Sequence, residues 1–236
     1  MKKLSASLTL LALSFTAVSL CAGDITGKVT LKGTPPPETP IKFDQNCGAF
    51  HTSAATTRRY VVAGDGGLGN VFVYISKGTE GKKFETPTTP VLLDQKGCMY
   101  QPYIIGAMVN QPIQIKNDDP ILHNVHALPK DSADEFNFAQ PLQGQTDERK
   151  FTKPQVLVKV KCDVHDWMLA YVGVVDNPYF AVTDESGKFT IKNVPPGDYT
   201  LTAYHLKAHG NKPGESKTIK VEGAPVTADF TVEVPK

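Results

Sequence analysis

In the segment Cys162–Met168, read CDVHDWM, a thiol, an imidazole and a thioether fall within seven residues. A second imidazole stands upstream at His123, in ILHNVHA. Two imidazoles, one thiolate and a weakly held thioether form the donor set of a one-electron copper centre. A trigonal plane of thiolate and imidazoles suits both Cu(I) and Cu(II), so little moves when an electron is exchanged, and the axial thioether helps tune the potential. Zinc fits less well, because structural zinc prefers several thiolates or imidazoles. A free buried cysteine, a core methionine and two satisfied histidines would explain each residue singly, but not all four at this spacing.

These donors need a scaffold that brings two distant loops together. Helical periodicity is scarce after residue 23, whereas short alternating or β-branched runs recur at 25–31, 70–75, 113–116, 156–161, 171–175, 188–191, 199–204 and 230–234, separated by Gly, Pro, Asp and Asn. Such spacing implies an all-β sandwich or barrel. The run 156–161 leads directly into Cys162, and the run 171–175 follows Met168, so the motif sits on a strand-to-strand loop. His123 follows the run 113–116 and the polar turn 117–120. The stretch 33–40, with Pro35, Pro36 and Pro37, is a loop or extended connector. The glycine-rich 64–69 lacks a phosphate-loop lysine and reads as a turn.

Composition narrows the function classes. The 236 residues are 40% hydrophobic and 21% charged, enough for one or two buried domains. The formal charge is +1, and −1 once Lys2 and Lys3 are discounted, which leaves no electrostatic footprint for nucleic acid. Those lysines precede an apolar stretch from Leu4 to Leu20 and the small residues Cys21, Ala22 and Gly23, the order of a secretory signal over 1–22. An uncleaved anchor helix and a lipid-modified Cys21 are the alternatives. The expected localisation is periplasmic or otherwise extracytoplasmic, with no membrane span after cleavage.

The pattern CxxHxxM before a strand, with HNVH upstream, resembles the cupredoxins (amicyanin- and plastocyanin-like blue copper proteins), above all the amicyanin type with its short ligand loop. The resemblance spans roughly 95–176 and implies one type 1 copper held by His123 Nδ1, Cys162 Sγ, His165 Nδ1 and, weakly, Met168 Sδ. It also implies that Asn124 hydrogen-bonds near the thiolate and ties the two ligand loops together. Asp166 stands where amicyanin-type loops tend to have proline, and Asp163 adds a second carboxylate, so an acidic rim beside His165 is expected. Trp167 either covers the metal loop or is an ordinary buried aromatic. His126, three residues beyond His123 on a strand, points to the other face and is read as a neighbour, not a ligand. His51, His205 and His209 have no ligand-like spacing and are read as surface or hydrogen-bonded residues.

With Cys21 in the signal and Cys162 on copper, Cys47 and Cys98 remain as an even pair in an oxidising compartment. A disulfide between them is expected; two isolated buried thiols are the competing reading. Residues 183–205, TDESGKFTIKNVPPGDYTLTAYH, hold a turn, a strand, a Pro-Pro-Gly turn and a second alternating strand. This resembles the carboxypeptidase-regulatory-like domain, a small transthyretin-like β-sandwich whose opening strands would stand far upstream, at 27–31 and 70–75. The expected division is a signal over 1–22, an N-terminal β segment over 23–84, a cupredoxin Greek-key sandwich over 85–177 and a smaller sandwich over 178–236. The copper unit is either inserted into the smaller sandwich, or the modules stand in series, or the N-terminal segment extends the cupredoxin sheet.

No HxxE metal motif or nucleophile elbow is present, so hydrolysis is not implied and the chain is read as a non-enzyme. The expected function is a periplasmic electron carrier, with a c-type cytochrome or a dehydrogenase as redox partner. In related cupredoxins the imidazole of the CxxH loop reaches the surface, so His165 is the expected entry edge. The alternative is a copper-binding protein for storage, delivery or sensing, without electron-transfer turnover.

Overall fold

The computed structural model describes residues 22–208 and 214–235. The proposed signal and Cys21, together with His209, lie outside these residues. Among the described residues, seventeen strands, one short α-helix and a 3-10 turn at Ser132–Asp134 follow in chain order. The first part holds β1 (Gly23–Lys32), α1 (Gln45–Gly48), β2 (Phe72–Lys77), β3 (Val91–Gln95), β4 (Tyr100–Gln101), β5 (Ile104–Met108) and β6 (Ile113–Asn117). Next come β7 (His123–Leu128), β8 (Phe136–Gln140), β9 (Thr146–Arg149), β10 (Gln155–Lys161) and β11 (Leu169–Val175). The last are β12 (Phe180–Val182), β13 (Lys188–Val194), β14 (Gly197–Tyr204), β15 (Glu215–Val221), β16 (Val226–Thr227) and β17 (Phe230–Glu233). The fold is all-β.

Two sandwiches, each with its own core, account for these strands. In the first, the sheet β5-β11-β10-β7-β8 faces the sheet β4-β3-β6-β9. Its core takes alternate residues of the strands: Val158 and Val160 from β10, Ala170, Val172 and Val174 from β11, Val125 and Ala127 from β7. In the second, the sheet β12-β2-β14-β15 stacks on β1, which pairs β13, β16 and β17. Ile25, Val29, Ile75, Ile191, Leu201 and Phe230 are buried in that core.

β1 and β2 pair with strands from the far end of the chain: β2 runs antiparallel to β12 and β14, while β1 is antiparallel to β13 and parallel to β17. All of 91–175 lies between them, so the first sandwich interrupts the second. The segment 23–84 divides between the two, because the stretch from Gly33 to Arg59 leaves β1 and crosses to the first sandwich. There Cys47 forms a disulfide with Cys98, and Arg58 Nη2 donates to the Tyr100 carbonyl at 2.9 Å. We call 33–59 the strap.

The sandwiches meet through aromatic rings laid on glycine. Gly106 of β5 and Gly173 of β11 are paired in register. A Cβ at Gly173 would stand 2.5 Å from the Phe72 ring, and one at Gly106 2.5 Å from the Phe180 ring. The missing side chains let Phe72 and Phe180, whose centroids are 5.8 Å apart, seat directly on the sheet.

Candidate metal centre

Strand alternation aims the first donor inward. His123 opens β7 on the same face as Val125 and Ala127 and is fully buried, whereas Asn124 and His126 lie on the other face. The turn before it is pinned by Asn117, whose Nδ2 donates to the Ile121 and Gln140 carbonyls, each at 2.9 Å. Asn117 Oδ1 accepts the Asp119 N–H at 2.9 Å. The other donors come from the β10–β11 connection. Cys162 continues the alternation of Val158 and Val160 into the core. Two backbone bonds close the loop, from the Cys162 N–H to the Met168 carbonyl at 3.1 Å and from the Met168 N–H to the His165 carbonyl at 3.0 Å.

This arrangement makes three donor atoms converge. His123 Nδ1 and His165 Nδ1 are 3.2 Å apart, Cys162 Sγ is 3.7 Å from His165 Nδ1, and the three ligand atoms lie within 4.8 Å of one another. A first-row ion at the centre of such a triangle, with metal–nitrogen about 2.0 Å and metal–sulfur about 2.3 Å, would set nitrogen–nitrogen near 3.5 Å and nitrogen–sulfur near 3.7 Å. The residues present therefore fit a trigonal metal. Met168 is fully buried in the same core cluster as Cys162. Cys162 is the free cysteine among the described residues.

The surroundings hold the donors in place. Asn124 donates its backbone N–H to Cys162 Sγ at 3.3 Å. Its side-chain oxygen accepts the Asp163 N–H at 3.0 Å, and its Nδ2 donates to Asn137 Oδ1 at 2.7 Å, so this residue bridges the two ligand loops. Asp119, which sequence reasoning missed, sits 2.8 Å from His123 Nε2 and also accepts the N–H groups of Gly97 and Cys98 at 2.7 and 2.8 Å. A proton on Nε2 leaves the Nδ1 lone pair for a metal. A carboxylate four residues before His123 was the available signal.

Burial opposes charge on His123, but the Asp119 hydrogen bond and the nearby Cys162 outweigh it, and its pKa is raised. Burial also resists the Cys162 thiolate. The hydrogen bond with His123 and the N–H groups of Asn124, His165 and Val164 overcome that and lower its pKa. For His165, burial and then repulsion by His123 lower the value against the pull of Asp44 and Asp119. The same low-dielectric pocket that penalises charge thus supports a thiolate beside a neutral imidazole.

The strap closes over the site, and two expectations change. His165 is buried, not surface-exposed: its Nε2 lies 3.6 Å from Asp44 Oδ2, and its ring is 5.2 Å from that of Trp167. Phe43 of the strap meets Trp167 edge-on at 5.4 Å and stacks on His51 at 4.0 Å. Trp167 Nε1 donates to the Cys98 carbonyl at 3.0 Å, so this residue covers the loop and is itself held by the disulfide segment. The expected acidic rim is also reduced: Asp163 is compensated by Lys161 Nζ at 2.6 Å and His126 Nδ1 at 2.9 Å, while Asp166 is exposed. His126 is accordingly a partner of Asp163 and stands apart from the donor triangle. His51 bonds the Gly97 carbonyl at 2.8 Å, and buried His205 accepts the Lys207 and Ala208 N–H groups through Nδ1.

Residues 170–233 match the family model of the carboxypeptidase regulatory-like domain. The match begins inside β11, a strand of the donor-bearing sandwich, and runs through β17; the upstream strands β1 and β2, which complete the regulatory-like sandwich, lie outside it. No curated protein matches the chain. Among solved structures, similar ones include a copper-containing nitrite reductase from Thermus scotoductus SA-01, at 20% identity and a TM-score of 0.35 over 41% of this chain and 24% of that one. This chain thus spans about a quarter of that reductase's length. A purple cupredoxin from Nitrosopumilus maritimus is similar at 23% identity and a TM-score of 0.30, over 36% of this chain and 98% of the other. An amicyanin variant in its Cu(I) form is similar at 19% identity and a TM-score of 0.32, over 43% and 97%.

Proposed function

We propose that this chain is a type 1 copper protein that carries single electrons, and that His123, Cys162, His165 and, more weakly, Met168 would hold the metal. The observation that carries the proposal is the convergence of two Nδ1 atoms and one Sγ at trigonal distances in a buried, preorganised pocket. A bound copper would supply the change between Cu(I) and Cu(II). The chain's own residues do the rest. Asn124 stabilises the thiolate, Asp119 fixes the His123 ring, and the strap excludes water from His165. Rigid donors suit a carrier, since they do not rearrange when the charge on the site changes.

The partner proposed is a periplasmic c-type cytochrome or dehydrogenase, and the compartment is extracytoplasmic, in keeping with the Cys47–Cys98 disulfide. No helix among the described residues is long and apolar enough to cross a membrane. The covering of His165 by Asp44 and Trp167 favours a second reading, copper storage or delivery without turnover. Reversible reduction of the loaded protein by a c-type cytochrome supports the carrier; a colourless Cu(I) form that passes its metal to an acceptor supports delivery.

The deciding experiment is the visible spectrum of the Cu(II)-loaded protein and of Cys162→Ser. An intense thiolate-to-copper absorption in the wild type, absent from the variant, is expected. Weak ligand-field bands alone in the wild type would remove the type 1 assignment.

A further inference from the structure

Beside the ligand loop, where the strap meets β4 and β11, lies an open cleft of about 450 Å³. That volume falls within the range of about 300–1,000 Å³ typical of small-molecule sites. Trp167 and Tyr103 provide flat walls, Ile41 and Met99 add apolar surface, and Lys42, Arg58 and Arg59 contribute three cations against the single carboxylate of Asp166. Glu38, close by, is engaged by the Arg59 and Tyr60 N–H groups and the Thr57 hydroxyl instead of by a guanidinium.

Arg58 is the unusual member. Its guanidinium is half-buried, lies 4.7 Å over the Tyr103 ring and gives one hydrogen bond, to the Tyr100 carbonyl. Among the described residues no carboxylate stands within ion-pair distance of it. Burial pulls its pKa down, with only a modest opposing effect of Tyr103. A desolvated guanidinium with donors to spare, set in a planar fork beside aromatic faces, is built to take a carboxylate bidentately.

We infer that this cleft binds a small planar organic carboxylate, its charged end on Arg58 and Lys42 and its flat body against Trp167 and Tyr103. The assignment rests on the cleft alone and holds for the metal-free chain as for the loaded one. Trp167 is the single tryptophan of the chain, so intrinsic fluorescence reports on this wall directly.

The test titrates the full mature protein with benzoate, with its neutral isostere benzamide and with acetate, following Trp167 emission. Saturable binding of benzoate is expected, at least tenfold tighter than benzamide or acetate. Arg58→Gln weakens it at least tenfold, and Lys42→Ala, which alters an exposed side chain, weakens it severalfold. Equal, non-saturating quenching by benzoate and benzamide overturns the inference. So does unchanged benzoate affinity in Lys42→Ala, which decides the matter even where Arg58→Gln fails to fold. None of these outcomes depends on the copper assignment.

Discussion

Asp119 is the residue through which the disulfide segment and the donor triangle communicate. It accepts from the backbone of Gly97 and Cys98 while it holds His123 Nε2. Replacing it with Asn is expected to cost metal affinity by about 10–100-fold, as loss of a partner behind a ligand histidine generally does; a metal competition assay in which Asp119→Asn matches the wild type would refute this. The pair also governs pH dependence in the metal-free protein. The folded value of His123 is raised from 6.5, so its share of stability is present below 6.5 and is lost as pH rises through the folded value. Asp119 is held below 3.8, by His123 and two N–H groups against burial, so its share is present above 3.8 and is lost as pH falls through the folded value. Urea midpoints of wild type minus Asp119→Asn are therefore expected to peak between these limits, and a difference flat with pH would contradict the pairing. At this scale the cluster of His123, Cys162 and His165 was partly legible because its chemistry is local: CDVHDWM carries two of the three in one loop. Asp119 was not, since its role depends on a tertiary turn that folds it back beneath His123.

At the scale of elements, strands follow from alternation. β1, β10, β13 and β14 were readable from their two-residue period, whereas β3, β8, β9 and β12 were not singled out, being short or polar segments whose pairing depends on distant neighbours. The strap escaped for a related reason. Residues 33–59 have no periodicity, and their position over His165 arises from the Cys47–Cys98 link and the ring contacts of Phe43. Closing a loop of 51 residues in sequence is worth about 4 kcal/mol on a chain-entropy basis. The double variant Cys47→Ser/Cys98→Ser is expected to lose stability of that order and to expose His165. Chemical denaturation reads the first effect. A faster loss of copper to an exogenous chelator reads the second, and an unchanged rate would show that the strap stays closed without its bond. The paired glycines carry a further expectation. Gly173→Val would drive a side chain into the Phe72 ring and destabilise the protein by about 1–3 kcal/mol, with a matching shift in the denaturation midpoint; a neutral substitution would show that Phe72 can move away freely.

For the whole molecule, two cores with separate strand sets lie within one chain. The alternating regulatory-like strands at 188–204 and their upstream complements at 25–31 and 70–75 were visible as patterns, but their pairing across more than a hundred residues was suggested only by the resemblance, as one of three arrangements. Loop closure of that length leaves no local trace in composition. The family match starts within β11, a strand that pairs with β5 and β10 and leads by a short connection into β12.

Where the donor-bearing sandwich leaves and rejoins its host, the two crossing points are neighbours: Tyr74 of β2 is paired with Phe180 of β12, and the Ile75 N–H bonds the Tyr179 carbonyl at 3.0 Å. The excursion from β2 to β12 is thus a cassette one hairpin wide at its base, with the strap as a second crossing tied to it by the Cys47–Cys98 disulfide. Excising it, bridging Lys77 to Tyr179 with a tight turn and replacing Cys47, whose disulfide partner leaves with it, should leave a cooperatively melting remnant of host strands and strap.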